Sequence, residues 1–346
     1  MFDFTQTQLT QAVVHRIGNK ARTEGYIVSQ KPIQTDTEIV QSLLLKYFLS
    51  PFKGEHLFNF SYENEVGKND LFVMANEIFE NPDTLYENSI KIAQLLYEKS
   101  EHPKIKAGEL YVAYLKDCVL EDELADVIGI FKSETKETYI KVEQNQTGFD
   151  IRYDNGININ NLDKGCLIFN IDKEDGFVLS ILDATSKGSD AVFWKDDFLK
   201  VSPRKDYHFY TQNYLTMCKD FIKEVHEPEE KTEITEMQQK TVQFFAEEEQ
   251  FDIQKFEEEV LVEPEKITAF KEYKERYQEE KETPPLPEDF KISTPALKTA
   301  KKQFKNLIKL DSNFQISVLN PNGIITRGFD EQTGQRYYQL FFDEEK

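Results

Sequence analysis

The spacing of apolar positions shifts from segment to segment along this chain, and each shift predicts a different kind of element. Leu9 to Ile17 is a short run rich in β-branched residues and closed by Gly18-Asn19, which reads as a strand and a turn. From Thr37 to Leu49, the residues Ile39, Leu43, Leu44, Tyr47 and Phe48 recur at helical spacing until Ser50-Pro51 stops them. His56 to Phe60 reads as a strand. A stronger helix is expected from about Asp83 to Ser100, with Leu85, Ser89, Ile92, Ala93, Leu96 and Tyr97 on one face and Pro103 as its breaker. Between Gly108 and Thr185 the period becomes two: Leu110, Val112 and Tyr114 alternate with other residues, as do Phe177, Leu179 and Ile181. Asn155-Gly156, Lys164-Gly165 and Asp175-Gly176 supply turn signals, so an antiparallel meander of roughly five or six strands is expected there.

From Asp206 to Val225 a wide helical stripe returns, built from Tyr207, Tyr210, Tyr214, Leu215, Cys218, Phe221, Ile222 and Val225. Lys205, Lys219 and Lys223 are its solvated edge. Composition then turns acidic: Glu227 to Phe290 holds 21 acidic and 8 basic residues. Phe244, Phe245, Phe251, Phe256, Val260, Phe270, Tyr273 and Tyr277 still recur at near-helical intervals, so charged helices are expected rather than a floppy tail. Pro284-Pro285-Leu286-Pro287 reads as a stiff linker. Beyond it the sign reverses. Lys291, Lys298, Lys301, Lys302, Lys305 and Lys309 appear with no acid before Asp311. Thr294 suits an N-cap and Pro295 the first helical position; Leu297, Ala300, Phe304, Leu307 and Ile308 would form the buried face. The lysines would line the other side. Phe314 to Leu319, Ile324 to Gly328 and Arg336 to Phe342 complete the chain as a small three-stranded sheet joined by Asn320-Pro321-Asn322-Gly323 and Gln332-Thr333-Gly334. The expectation is an α+β protein: an α+β domain over 1–226, an acidic helical segment and linker over 227–290, and a basic helix with its sheet over 291–346.

A chain of 346 residues, 39% hydrophobic and 13% aromatic, can bury a substantial core beneath a charged surface. Its net charge of −21 opposes indiscriminate nucleic-acid binding, so any such contact must come from a local basic patch. Cys118, Cys166 and Cys218 are widely spaced and read as reduced core thiols. With no leader pattern and no long apolar run, a cytoplasmic location is expected. Phosphate-binding, dinucleotide, zinc, nucleophile-elbow and calcium-loop signatures are absent, and among 63 carboxylates any chosen pair is more readily surface than general acid and base. Hence no enzyme activity, cofactor or metal is expected. His15 reads as a half-buried strand residue, and Trp194, beside Val192, Phe193 and Phe198, as core. The lysine face is the one candidate site. Lysines three, four and seven apart can meet successive backbone phosphates without reading bases. The alternative is a solvated face that balances the acidic helices.

Val13 to Lys20 (VVHRIGNK), Asn88 to Val112, Ile128 to Glu134 (IGIFKSE), Trp194 to Val201 (WKDDFLKV) and Thr211 to Leu215 (TQNYL) resemble the bacterial 37-kilodalton nucleoid-associated protein family. That resemblance implies association with the bacterial nucleoid, DNA binding and contact with a DNA-topology enzyme; it supplies no catalytic residues. Joined to the lysine pattern, it predicts low-specificity DNA contact by Lys298, Lys301, Lys302, Lys305 and Lys309, with Arg327 and Arg336 assisting from the terminal sheet. The competing expectations are an acidic adaptor that reaches the nucleoid through a protein partner, and a hydrolase using clustered carboxylates and a divalent metal.

Overall fold

The computed structural model describes every residue except 1, 35–36, 55, 62–65, 186–192, 227–230, 282–284, 302–303, 305–306, 310–313, 318–324 and 342–346, with backbone alone at 231–232, 307–309, 317 and 325–326. It divides into two compact units, Met1–Arg204 and Lys205–Lys346.

The first unit is a nine-stranded antiparallel sheet with helices on both faces. Its strands are β1 (Phe2–Asp3), β2 (Gln8–Ile17), β3 (Tyr26–Ile27), β4 (Leu57–Phe60), β5 (Gly108–Leu120), β6 (Glu123–Ser133), β9 (Lys164–Phe169), β10 (Val178–Asp183) and β11 (Val201–Pro203). A separate hairpin, β7 (Glu137–Asn145) and β8 (Gly148–Gly156), stands between β6 and β9 in sequence. The sheet order is β11-β4-β10-β9-β6-β5-β2-β3, with β1 added on β5. The period-two pattern therefore does mark a meander, β5-β6-β9-β10. The β5–β6 connection turns on Glu121 and Asp122, both at positive φ (52° and 73°), the backbone hand that matches strand twist in two-residue hairpins.

Alternation along β5 feeds two cores. Leu110, Val112 and Tyr114 face helices α2 (Asp70–Glu80) and α3 (Leu85–Lys99), while Ala113 and Leu115 face α1 (Glu38–Leu49). Thr37 caps α1 by accepting from the Val40 N–H, and Asn69 caps α2 by accepting from Leu71 and Phe72. Trp194 is fully buried and its indole N–H reaches the Gly165 carbonyl at 3.4 Å, as a core residue should. Two expected turns are not turns. Asn155-Gly156 ends β8, where the missing side chain leaves room for the Tyr139 ring. Lys164-Gly165 opens β9, where a Cβ on Gly165 would lie 2.8 Å from the Phe52 ring. Both glycines serve close packing.

The second unit comprises α4 (Tyr207–Val225), α5 (Lys231–Glu247), α6 (Pro264–Glu280), α7 (Thr294–Lys301) and short antiparallel strands. Strand β12 (Gln250–Asp252) pairs with β13 (Asp289–Lys291), β14 (Leu307–Lys309) with β15 (Gln315–Ser317), and β16 (Ile325–Asp330) with β17 (Gln335–Leu340). Asp206 caps α4, accepting from the Phe209 N–H at 3.0 Å. The helix expected to close the first domain thus opens the second unit. Its stripe meets the aromatic periodicity of the acidic segment: Tyr214 packs on Phe251 at 4.3 Å, and Phe251 on Phe290 at 4.9 Å and Phe245 at 5.3 Å. Pro284 of the expected linker lies outside the described residues, and the rest of the proline segment is packed rather than a free spacer. Leu286 is buried, its N–H donates to the Gln278 amide oxygen at 2.6 Å, and the Tyr214 hydroxyl donates to the Pro287 carbonyl at 2.6 Å. One apolar side chain and two hydrogen bonds tie Leu286-Pro287 into the core, an outcome composition alone does not forecast.

Candidate nucleic-acid interface

The basic helix is shorter than its sequence pattern suggests. Helix α7 ends at Lys301, the Phe304 N–H turns back to the Lys301 carbonyl at 3.2 Å, and Phe304 is buried. The cap lies one residue earlier than expected: Ser293 accepts from the Ala296 N–H through its hydroxyl at 3.3 Å and from the Leu297 N–H through its carbonyl. Leu307-Ile308, expected as two further helical positions, lies in strand β14, with Ile308 opposite Ile316. A short apolar pair satisfies either period, which is why spacing misassigns it. The five lysines consequently do not share one helical face. Lys298 and Lys301 do, at i and i+3, and both are exposed and form no ion pair with a described residue. Lys309 lies in β14. Lys302 and Lys305 lie outside the described residues.

The expected three-stranded terminal sheet is instead two separate ladders. Ile324 and Phe342 lie outside the described residues. The β16–β17 ladder is closed by Asp330, whose carboxylate accepts from the Gln332 N–H at 2.9 Å and the Thr333 hydroxyl at 2.7 Å, and by Gly334 at φ 69°. The Thr333 hydrogen bond holds the Asp330 carboxyl below its ordinary pKa.

The pairing register then decides what each face of this hairpin carries. Arg327 stands opposite Tyr338, Phe329 opposite Arg336 and Ile325 opposite Leu340. Since residues two apart share a face, Arg327 and Arg336 fall on the same side as Phe329, Tyr338 and Leu340. Both arginines are exposed, and Phe329 is 60% exposed. None of the β16 and β17 residues on that face is acidic, because Asp330 alternates to the other one, where the Tyr337 ring lies across Gly328. Two guanidinium groups are thus interleaved with two aromatic rings. The lysine pattern does not reveal this arrangement; the alternation Ile325-x-Arg327-x-Phe329 and Arg336-x-Tyr338-x-Leu340 does. Helix α5 packs against α7 and also touches β14 and β16.

Acidic groups cluster elsewhere in the second unit. Glu265, Glu272, Glu275 and Glu279 are exposed along α6 and form no ion pair with a described residue, whereas Glu257 is held by Lys271 at 3.0 Å and Glu224 by Arg276. Among the described residues, no group of three or more His, Cys, Asp or Glu side chains is placed to hold a metal, and no helix is long and apolar enough to cross a membrane. The three cysteines are free and buried, and burial pushes the Cys118 thiol up to about 11.

The family landmarks prove to be structural fasteners. His15 accepts from the Ser29 N–H through Nδ1 at 3.1 Å, and its Nε2 lies 2.9 Å from the Ser89 hydroxyl. Asn19, fully buried, donates to the carbonyls of His102 and Ile105 at 2.8 Å. Lys132, fully buried, donates to the Lys106 carbonyl at 2.8 Å and pairs with Glu134 at 2.7 Å. Thr211 accepts from the Ser293 N–H at 3.0 Å, joining α4 to the start of α7.

What these features define is a two-unit α+β protein with one arginine–aromatic face on a terminal hairpin. The family model described as nucleoid-associated protein YejK matches residues 13–326, and the chain belongs to that family. Its match ends within β16, so the second strand of the hairpin lies past the matched residues. No curated protein matches the chain closely enough to count as a relative.

Proposed function

We propose that this chain is a nucleoid-associated protein that holds DNA through its phosphate backbone, with Arg327 and Arg336 of the terminal hairpin as the principal contacts and Lys298 and Lys301 adding charge from α7. The observation that carries this reading is the register that sets both arginines on one exposed face of the hairpin beside Phe329 and Tyr338. Guanidinium groups fit phosphate as a planar fork, and such groups position a protein without reading sequence. The face is local, and that is sufficient: at physiological ionic strength charges more than about 8 Å away are largely screened, so a body of net charge −21 does not cancel it. Such a contact needs neither catalysis nor a cofactor.

Duplex binding by the full chain is expected to weaken steeply with salt. In the Arg327→Ala/Arg336→Ala variant the slope of log K against log salt should fall by about 2, one unit for each phosphate no longer neutralised. An unchanged affinity and slope in a folded variant would remove the site.

The stripe of carboxylates on α6, with Glu265, Glu272 and Glu279 at intervals of seven along one side, favours a second reading in which the chain docks on a basic protein surface. Helix α6 is also core through Phe270 and Tyr277, so deleting it would unfold the unit. Glu→Gln exchange at Glu265, Glu272, Glu275 and Glu279 separates the two readings: it should leave duplex binding intact or strengthen it if the arginine face binds DNA, and should abolish nucleoid association if α6 is the docking surface.

A further inference from the structure

The β7–β8 hairpin is exposed on both faces along nearly all of its length. Its register sorts the residues sharply. Thr138, Ile140, Val142 and Gln144 share a face with Asn155, Tyr153, Ile151 and Phe149, and that face carries no charge. The opposite face holds Lys141, Glu143, Asp150, Arg152 and Asp154, with Glu143 paired to Lys141 at 2.7 Å and to Arg152 at 3.8 Å. On the uncharged face Ile140, Val142, Phe149, Ile151 and Tyr153 are 61–76% exposed. A two-stranded hairpin with a bare apolar face is marginally stable alone, and contiguous apolar patches of this kind mark contact surfaces.

The root of the hairpin is fixed. The Asp163 carboxylate, 7% exposed, accepts from the N–H groups of Glu134 and Thr135 at 2.6 and 2.9 Å and from the Thr135 hydroxyl at 2.9 Å. Glu134 is itself locked to buried Lys132, and Glu137 accepts from Asn158 at 3.0 Å. Nine residues per strand then carry the arm outward by about 30 Å.

We propose that this apolar face pairs with the same face of a second copy of the chain, forming a two-fold dimer in which two hairpins stack as a small β-sandwich. Three features select a second copy. The five exposed side chains offer on the order of 700 Å² per copy, close to the roughly 800 Å² that each partner contributes to a standard interface. Ile140 opposite Tyr153 and Val142 opposite Ile151 make the face similar on its two strands, the self-complementarity an isologous contact needs. Finally, two bodies of charge −21 repel each other, and an eight-residue face without charge lets identical chains meet with no like-charge clash.

Sedimentation of the full chain over a concentration series tests this. Wild type should dimerise, and Ile140→Lys/Ile151→Lys, at positions already exposed, should raise the dimer dissociation constant about 100-fold or more. Lys141→Ser/Arg152→Ser, on the charged face of the same hairpin, should leave it nearly unchanged. Raising salt should tighten the dimer or leave it constant, as expected for an apolar contact between like-charged bodies. A monomeric wild type at about 100 µM, weaker than a standard interface supports, would overturn the proposal, as would a dimer indifferent to the Ile140/Ile151 exchange or dissolved by salt.

Discussion

His15 shows how one buried side chain can tie stability to pH. Because the Ser29 N–H donates to Nδ1, the ring proton must sit on Nε2, facing the Ser89 hydroxyl, which donates in turn to the Tyr86 carbonyl at 2.7 Å. A second proton at Nδ1 would displace the Ser29 bond in a buried site, and burial lowers the His15 pKa from 6.5 to about 4. The sign follows from proton counting. Between pH 6.5 and 4 the unfolded chain takes up a proton that the folded chain refuses, so stability present above pH 6.5 is lost as pH falls through that window. Relative to His15→Asn, wild type should lose up to about 3 kcal/mol more on going from pH 7 to pH 4.5, measured by denaturant unfolding at the two pH values. Equal losses would mean that His15 keeps its proton equilibrium on folding.

At the scale of elements, Asp163 is the corresponding test. Its carboxylate holds the first residues after β6 and so aims the β7–β8 arm. Asp163→Ala should destabilise the first unit by about 2–4 kcal/mol, since charge-assisted bonds to two backbone N–H groups disappear together. Amide exchange across 134–156 should accelerate at least about tenfold, while α4 in the second unit keeps its protection. Uniform acceleration in both units would show that Asp163 supports the whole fold rather than the arm. Much of this architecture is legible in the sequence: Thr37 and Asp206 mark the starts of their helices, and period two marks β5 and β10. The rest is hidden for physical causes. Helix α2 does not stand out because Asn69, its cap, sits in an otherwise featureless stretch, and Leu71, Ala75 and Ile78 make only a narrow buried stripe. Gly165 resembles a turn residue because glycine serves tight packing as well as reversal. Leu307-Ile308 fits two periods, and only the pairing with β15 decides between them. Arg327 and Arg336 are recognisable as cations, but their common face depends on register, which single residues do not encode.

Charge governs the whole molecule, and its two proposed contacts answer to salt in opposite directions. Phosphate binding by the Arg327–Arg336 face releases counterions and weakens as salt rises, whereas apolar pairing of like-charged bodies is favoured by screening. A dimer carries two arginine faces, so on a long duplex the second face engages at the high effective concentration set by the first. Counted per binding site, wild type should therefore bind a duplex of several hundred base pairs about 10²- to 10⁴-fold more tightly than one of about 15 base pairs, which admits a single face. Ile140→Lys/Ile151→Lys should collapse that ratio towards one while leaving short-duplex affinity unchanged. Arg327→Ala/Arg336→Ala should weaken binding to both lengths without altering the dimer. Anisotropy titrations on the two duplexes with the three proteins separate the contributions. A ratio that survives loss of the dimer would trace the long-duplex preference to sites along one chain, and would leave the β7–β8 face with no part in gathering DNA.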